Sequence, residues 1–239
     1  MNAATHGSES RAALVIPALN EEPVIASTLR AIPPGLFDVV IVADNGSTDR
    51  TGEIARAEGA IVVKEPERGY GAACQRGIAA LPPEVSVVVF MQADGSENPA
   101  EAVRLLRPIY DGAADLVIGS RALGELEPGA MELHQRFGNR LATFLVGLLY
   151  GHRYTDLGPF RAIRREALMR LRMRDRGYGW TVEMQVRAIQ CGLRIREVPV
   201  SYRNRRAGRG KISASLKASI QAGVKIIWTV FRLVIDGRR

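Results

Sequence analysis

A mainly parallel, doubly wound α/β sheet is the fold class this sequence predicts, and three observations predict it. Short runs rich in β-branched residues recur along the first half, segments with helical periodicity separate them, and polar clusters sit at the ends of the runs. Apolar runs with no polar interior belong to strands covered on both faces. Regular alternation with helices calls for crossover connections, and so for parallel pairing with helices on both faces of the sheet.

The strand candidates are "AALVIPAL" (12–19), "DVVIVAD" (38–44), "AIVVKE" (60–65), "VSVVVFMQ" (85–92) and "DLVIGS" (115–120). Between them "NEEPVIASTLRAI", "STDRTGEIARAEG", "GAACQRGIAAL" and "NPAEAVRLLRPIY" carry a 3.6-residue period, with Ser47, Thr48 and Asn98 as N-cap candidates. In such sheets ligands gather at the carboxyl ends of the strands. Polar clusters fall at those ends: Asn20-Glu21-Glu22, Asp44 to Asp49, Gln92-Ala93-Asp94-Gly95 and Ser120-Arg121. One such cluster makes a cap or a turn; several at one edge make a site.

The chain has 239 residues, 46% hydrophobic and 24% charged, which is ordinary for one globular domain. Cys74 and Cys191 are far apart with no CxxC spacing, so they predict buried thiols, with no disulfide framework or metal knuckle. Residues 1–10 are polar and predict a disordered lead-in; without the basic-then-apolar pattern of a secretory signal they place the protein in the cytoplasm. Net charge is +8, yet from Arg194 onward 12 Lys/Arg face two Asp/Glu, a surplus of ten that leaves residues 1–193 at −2. A basic C-terminal fifth suits phosphates or an anionic membrane surface, or is simply a solvated face. Nucleic acid is not expected, because no aromatic-basic interleaving accompanies the charge.

"RGYGAACQRG" (68–77) contains Gly69-x-Gly71, but Cys74 holds the sixth position of the dinucleotide pattern and the motif follows the third strand. As a glycine-rich helix start it remains a place for an anion or sugar.

Taken in order, "VIPALNEE", "IVADNGSTDRT", "RGYGAACQRGI", "QADGSENP" and "GSR" resemble the nucleotide-sugar-binding half of family 2 glycosyltransferases with the GT-A fold. "YTDLGPFRAIRREAL" and "GYGWTVEMQVRAIQCGLRIREVPVSYRNRRAGRGKIS" resemble the polyprenyl-phosphate hexosyltransferases, the dolichol-phosphate mannose and glucose synthase group. The resemblance covers residues 12–213 and implies a GT-A domain over 11–213; residues 214–239 read separately as an amphipathic helix that docks on a membrane or a partner.

It implies further that Pro17, Leu19 and Glu21 line the nucleotide, that Val42 and Asp44 close the base pocket, and that Gly69, Gln92, Ala93 and Arg121 complete donor binding. Leu19 stands where the family commonly has an aromatic residue. The family's Asp-x-Asp is here Gln92-Ala93-Asp94, so Asp94 alone carries the protein side of a Mg²⁺ or Mn²⁺ site. An amide can still serve a ribose hydroxyl but brings no charge to a hard cation.

For the acceptor, Arg205, Gly208 and Lys211 match the family's Arg-x-x-Gly-x-x-Lys, with Gly210 in place of the usual Ser; Arg121, Arg136 and Asn139 join them. Asp156 in "TDLGPFR" is read as a group that orients the sugar or acts as base, or else as a helix cap, and Glu183 is a second-rank candidate. A phosphomonoester, with a second pKa near 6, needs cationic positioning more than a base. The abundant arginines therefore favour a lipid phosphate.

"GNRLATFLVGLLYG" (138–151) is too short to cross a bilayer. "SIQAGVKIIWTVFRLVI" (219–235) carries Lys225 and Arg232 on nearly one helical face, with Trp228 and Phe231 nearby. It reads as an interfacial helix with its basic side toward headgroups, or as one docked on the catalytic domain. As the chain stops at Arg239, peripheral docking at the inner membrane face or a separate membrane protein is expected.

The function expected is an inverting, metal-dependent transfer of glucose or mannose from UDP- or GDP-sugar to a polyprenyl phosphate. The alternatives are transfer to a small soluble acceptor and a non-catalytic nucleotide-sugar-binding module.

Overall fold

Alternation along each strand builds the molecule. Ala13 and Val15 of β1 (Arg11–Ala18), Val88 and Phe90 of β4 (Val85–Phe90) and Leu116 and Ile118 of β5 (Leu116–Ser120) enter one apolar cluster. Their neighbours Leu14, Ile16, Val87, Val89 and Val117 enter a second cluster on the opposite face. Both faces are therefore covered, as unbroken apolar runs require. A computed structural model describes residues 11–205 and the helix at 216–236, with side chains of that helix from 223 to 235.

The sheet has seven strands in the order β3-β2-β1-β4-β6-β5-β7, where β2 is Val39–Asp44, β3 Ile61–Lys64, β6 Arg161–Arg164 and β7 Ile195–Pro199. All pairs are parallel except those of β6, which runs antiparallel between β4 and β5. Strand order reverses between β1 and β4, and the crevice beyond the carboxyl ends there is where a ligand fits in such sheets.

Helices α1 (Glu22–Arg30), α2 (Thr51–Ala57) and α4 (Ala102–Tyr110) supply the second cluster through residues such as Ile25, Ala55 and Leu105. The first cluster takes Cys74 from α3 (Tyr70–Ala79), Val146 from α5 (Leu133–Tyr150), Leu168 from α6 (Arg165–Leu171), Trp180 from α7 (Trp180–Gln190) and Val230 and Leu233 from α8 (Leu216–Asp236). Helix α8 thus belongs to the same core as the sheet. Asn98 caps a single 3-10 turn, Pro99–Glu101, by accepting from Ala100 N at 3.2 Å. Ser47 and Thr48 do not cap α2, which begins at Thr51; Asp49 accepts from Thr51 N instead, at 3.0 Å.

The expectations for residues 1–10, Gly208, Gly210, Lys211 and the boundary at 213/214 lie outside the described residues. Among the described residues no helix is long and apolar enough to cross a membrane.

Candidate active site

Beyond β1 the chain turns at Asn20, whose φ of 49° is a left-handed conformation that Asn tolerates. Its carboxamide accepts from Thr48 N at 2.8 Å, and Asn20 N donates to Ser47 Oγ at 2.9 Å. Glu21 N donates to Thr51 Oγ1 at 2.8 Å, and the Glu22 carboxylate takes Arg50 N and Nε at 2.9 Å each. These bonds stitch "NEE" to "NGSTD" into one ledge, so most of that polarity is structural. The resemblance expects Val42 and Asp44 at the base pocket. Val42 points into the second apolar cluster, fully buried, and Asp44 accepts from Ser47 N at 2.8 Å to close the turn before α2; neither lines the cavity described next.

A cavity of about 650 Å³ opens at the β1/β4 switch. Pro17, Leu19 and Glu21 wall it from β1, and Gln92, Ala93 and Asp94 from β4. Gly69, Arg121, Asn139 and Arg205 converge on it from four further segments. The strand-end turn after β4 fixes Asp94: Gly95 takes φ 72°, and Asp94 Oδ1 accepts from Ser96 N at 3.0 Å and from the Ser96 hydroxyl. Asp94 Oδ2 meets Arg205 Nε at 2.7 Å, and Arg205 Nη2 lies 3.5 Å from Glu21 Oε1. Burial alone would lower the Arg205 pKa, but Asp94 and Glu21 hold it above the ordinary arginine value. Residues 201–204 give Arg205 a fixed root: Ser201 N binds Glu101 at 2.7 Å, Arg203 N binds Ser96 O at 2.8 Å and Asn204 N binds Glu127 at 2.7 Å.

Arg121 follows β5 and grips Asp156 through its backbone N at 2.8 Å, Nε at 2.8 Å and Nη2 at 2.7 Å. Desolvation pulls the guanidinium pKa down; the Asp156 charge more than offsets it and leaves it raised. The Tyr202 ring stacks 5.0 Å from the guanidinium carbon. Both Asp156 oxygens are thereby engaged, which leaves the carboxylate as the holder of Arg121 and not as a helix cap. Asn139 is similarly committed, accepting from Leu157 N at 2.9 Å and donating to Thr155 O at 3.4 Å, so it braces the loop at 155–157. A neighbouring cavity of about 540 Å³ shares Arg121, Met131 and Asn139 with the first and adds Arg136, Arg140 and Phe137.

The glycines of "RGYG" serve a different purpose from anion approach. A Cβ at Gly69 would lie 2.1 Å from Arg176 O, and one at Gly71 2.2 Å from Asp175 O. Ala72 N donates to Arg176 O at 2.9 Å and Gly71 N to Gly177 O at 3.3 Å, while Gly69 N is taken by Asn45 Oδ1 at 2.8 Å. The N–H groups of Gly71 and Ala72 are spent on protein carbonyls, although Gly69 still borders the cavity. Glu183 is fully buried, pairs with Arg187 at 2.8 Å and accepts from Asp175 N at 2.6 Å, well inside the fold. The expected headgroup-facing side of α8 is also corrected: Lys225 and Arg232 turn to the buried Asp175, at 3.2 and 3.9 Å, and flank Trp228.

Two site residues escaped the sequence reading. Tyr202, under Arg121, carried only the signal of an aromatic three positions before Arg205. Glu97, inside "DGSENP", is buried and accepts from Gln92 N at 2.7 Å, and burial pushes its carboxyl up to about 8.

Asp94 offers a divalent cation one oxygen, Oδ2, and among the described residues no cluster of three or more His, Cys, Asp or Glu gathers to enclose one. That donor set fits Mg²⁺ or Mn²⁺, which bind through one or two carboxylates with phosphate and water completing the shell.

Known proteins resemble this chain along most of its length. An uncharacterised glycosyltransferase of Mycobacterium tuberculosis is 41% identical over 214 residues, covering 87% of this chain and 93% of its own length. A dolichyl-phosphate hexose transferase of Haloferax volcanii is 37% identical over 207 residues, covering 84% and 86%. The crystal structure of glucosyl-3-phosphoglycerate synthase from Mycobacterium tuberculosis, in complex with Mn²⁺, UDP and glucosyl-3-phosphoglycerate, superposes with a TM-score of 0.74 at 27% identity, over 94% of this chain and 80% of that one. The helix-flanked mixed sheet is thus the GT-A fold. Residues 13–172 match the sequence model of glycosyl transferase family 2, and with relatives aligned along most of its length, the chain belongs to that family.

Proposed function

We propose that this glycosyltransferase moves a glucose or mannose residue from a UDP- or GDP-sugar to a polyprenyl phosphate, with inversion, at the inner face of a membrane. The observation that carries the acceptor reading is an apolar surface beside the cationic cavity. Phe137, Phe144 and Leu148 form one exposed stripe of α5, with Phe144 65% exposed; Val224, Trp228, Phe231 and Ile235 form another on α8. The two helices pack together, Tyr150 donating to Val230 O at 2.6 Å, and Ile226 and Ile227 of α8 line the cavity itself. Contiguous exposed apolar faces of this kind mark a docking surface, and an isoprenoid chain leaving the cavity beside them stays out of water. The apolar face of α8, not its basic one, is the side that meets lipid.

The diphosphate of the donor lies toward Asp94 and Arg205, with the nucleoside against Pro17, Leu19 and Glu21. A divalent cation bound with Asp94 supplies charge neutralisation for the leaving diphosphate. Arg205 adds a second, fixed positive charge on the same side, aimed where charge develops. Arg121, held rigid by Asp156 and Tyr202, and Arg136 orient the acceptor phosphate. One of its oxygens attacks the anomeric carbon while the bond from that carbon to the diphosphate oxygen breaks. No general base is needed, since the phosphate is already largely dianionic; Asp156 therefore acts by fixing Arg121. Gln92 positions the ribose.

A second reading, transfer to a small phosphorylated acid, is favoured by the neighbouring cavity with Arg136 and Arg140, large enough for such a molecule, and by the likeness to the phosphoglycerate enzyme. Labelled UDP-glucose or GDP-mannose with Mn²⁺ and either undecaprenyl phosphate in vesicles or 3-phosphoglycerate separates the two. Label in the organic phase is the expected result. Label only in an aqueous product would establish the second reading, and none with either donor would contradict both.

A further inference from the structure

Asp175 is a buried carboxylate that the transfer reaction does not use. It sits in the loop between α6 and α7, where its Oδ1 accepts from Gly177 N at 2.8 Å and its backbone N is held by Glu183 at 2.6 Å. Its Oδ2 makes no hydrogen bond; the charge is met from outside the loop by Lys225 at 3.2 Å and Arg232 at 3.9 Å, both on α8. Those cations lie seven residues apart, two helical turns, and bracket Trp228 at 4.8 and 4.9 Å. The loop is pressed onto the helix so closely that a Cβ at Gly179 would stand 2.4 Å from Thr229 Oγ1 and 2.6 Å from Asp175 Oδ2.

The other side of the same loop shapes the donor cavity. Its carbonyls at 176 and 177 take the N–H groups of Ala72 and Gly71 in α3, its Asp175 carbonyl takes Gln75 Nε2 at 3.4 Å, and the glycines at 69 and 71 exist in contact with it. Gly177 and Tyr178 of the loop, Gly69 and Tyr70 at the start of α3 and Ile226 and Ile227 of α8 all line the cavity.

We propose that Asp175 is a positioning residue that couples the seating of α8 to the shape of the donor cavity. With α8 docked, Lys225 and Arg232 neutralise Asp175, and the loop can hold its carbonyls against α3. With α8 lifted, a buried carboxylate is left without a counter-charge, and the loop must shift to hydrate it. Linkage makes the effect mutual: nucleotide in the cavity must favour seated α8 by the same factor. The inference rests on the cavity being the nucleotide-sugar site.

Hydrogen exchange of the segments 172–179 and 223–235, with and without UDP–Mn²⁺ or GDP–Mn²⁺, together with the affinity of the same nucleotides by calorimetry, tests it in the full chain. The native protein should show slowed exchange in both segments when nucleotide binds. Asp175→Asn keeps the shape and the bond to Gly177 but removes the charge; it should bind nucleotide about tenfold more weakly and protect α8 less, although Ile226 and Ile227 still line the cavity. Lys225→Gln with Arg232→Gln, both at partly exposed positions, should reproduce that loss if the Asn variant does not fold. Native affinity with unchanged α8 protection in these variants would overturn the coupling alone. Failure of the native protein to bind either nucleotide would withdraw the donor-site reading and the coupling together.

Discussion

Asp94 has two oxygens and three claims on them. Ser96 takes one through its backbone and hydroxyl, and Arg205 meets the other, the same atom a divalent cation requires. A cation and the guanidinium could not both hold Oδ2 closely, so a metal bound there would leave Arg205 free to face the diphosphate. Gln92 contributes no charge to this competition. Gln92→Asp should therefore raise Mn²⁺ affinity in the presence of UDP by about tenfold; an unchanged titration would show that position 92 does not face the cation. Glu97 makes a pH prediction. Its folded pKa, near 8, lies above the ordinary carboxyl value, so between pH 4.5 and 8 the folded protein holds a proton that the unfolded chain releases. Stability should fall through that window, by up to about 1.4 kcal/mol per pH unit for one proton, and Glu97→Gln should flatten the slope in thermal melts taken from pH 5 to 8. An equal slope in the variant would contradict the buried acid. Asp94 and Arg205 were legible in the sequence because a charge at the end of an apolar strand, or in a basic motif, stands out. The engagement of Asp156, Asn139 and Asp44 by protein groups was not, since each partner lies at a turn or in another segment whose approach no local pattern encodes.

At the scale of elements, the five strands of the first half fall where β-branched runs predict them, and β6 and β7 are the two that the sequence hid. β6 reads "RAIR" and looks like loop; Arg161 is nonetheless fully buried, its guanidinium taken up by the carbonyls of Gly158 and Thr181. β7 is an edge strand, paired only with β5, and its adjacent Arg196 and Glu197 break any apolar run that would mark it. On α8 the seven-residue spacing of Lys225 and Arg232 is visible in the sequence, but their partner Asp175 is some fifty positions earlier in the chain, so no local pattern decides between a headgroup-facing and a docked basic side. The corrected orientation has a direct consequence. Phe144→Glu combined with Phe231→Glu, both on exposed apolar stripes, should lower co-sedimentation with anionic phospholipid vesicles about tenfold while leaving the melting temperature nearly unchanged. Retained vesicle binding would exclude this face as the docking surface.

In the whole molecule, one topological feature places the chemistry. The reversal of strand order between β1 and β4 opens the sheet edge where Glu21 and Asp94 stand, and the chain returns from β7 across that opening to deliver Tyr202 and Arg205. The mainly parallel sheet and its polar edge were readable because strand-helix alternation and strand-end polarity are local signals. The antiparallel insertion of β6, the neighbouring cavity and the α5/α8 surface arise from packing between distant segments. A crystal structure of the protein with UDP and Mn²⁺, with the metal located by anomalous scattering, tests the central claim most directly. The cation should lie within about 2.3 Å of Asp94 Oδ2 and bridge to the diphosphate, with the Arg205 guanidinium moved onto a phosphate oxygen. Nucleotide bound elsewhere, or a cation coordinated without Asp94, would contradict it.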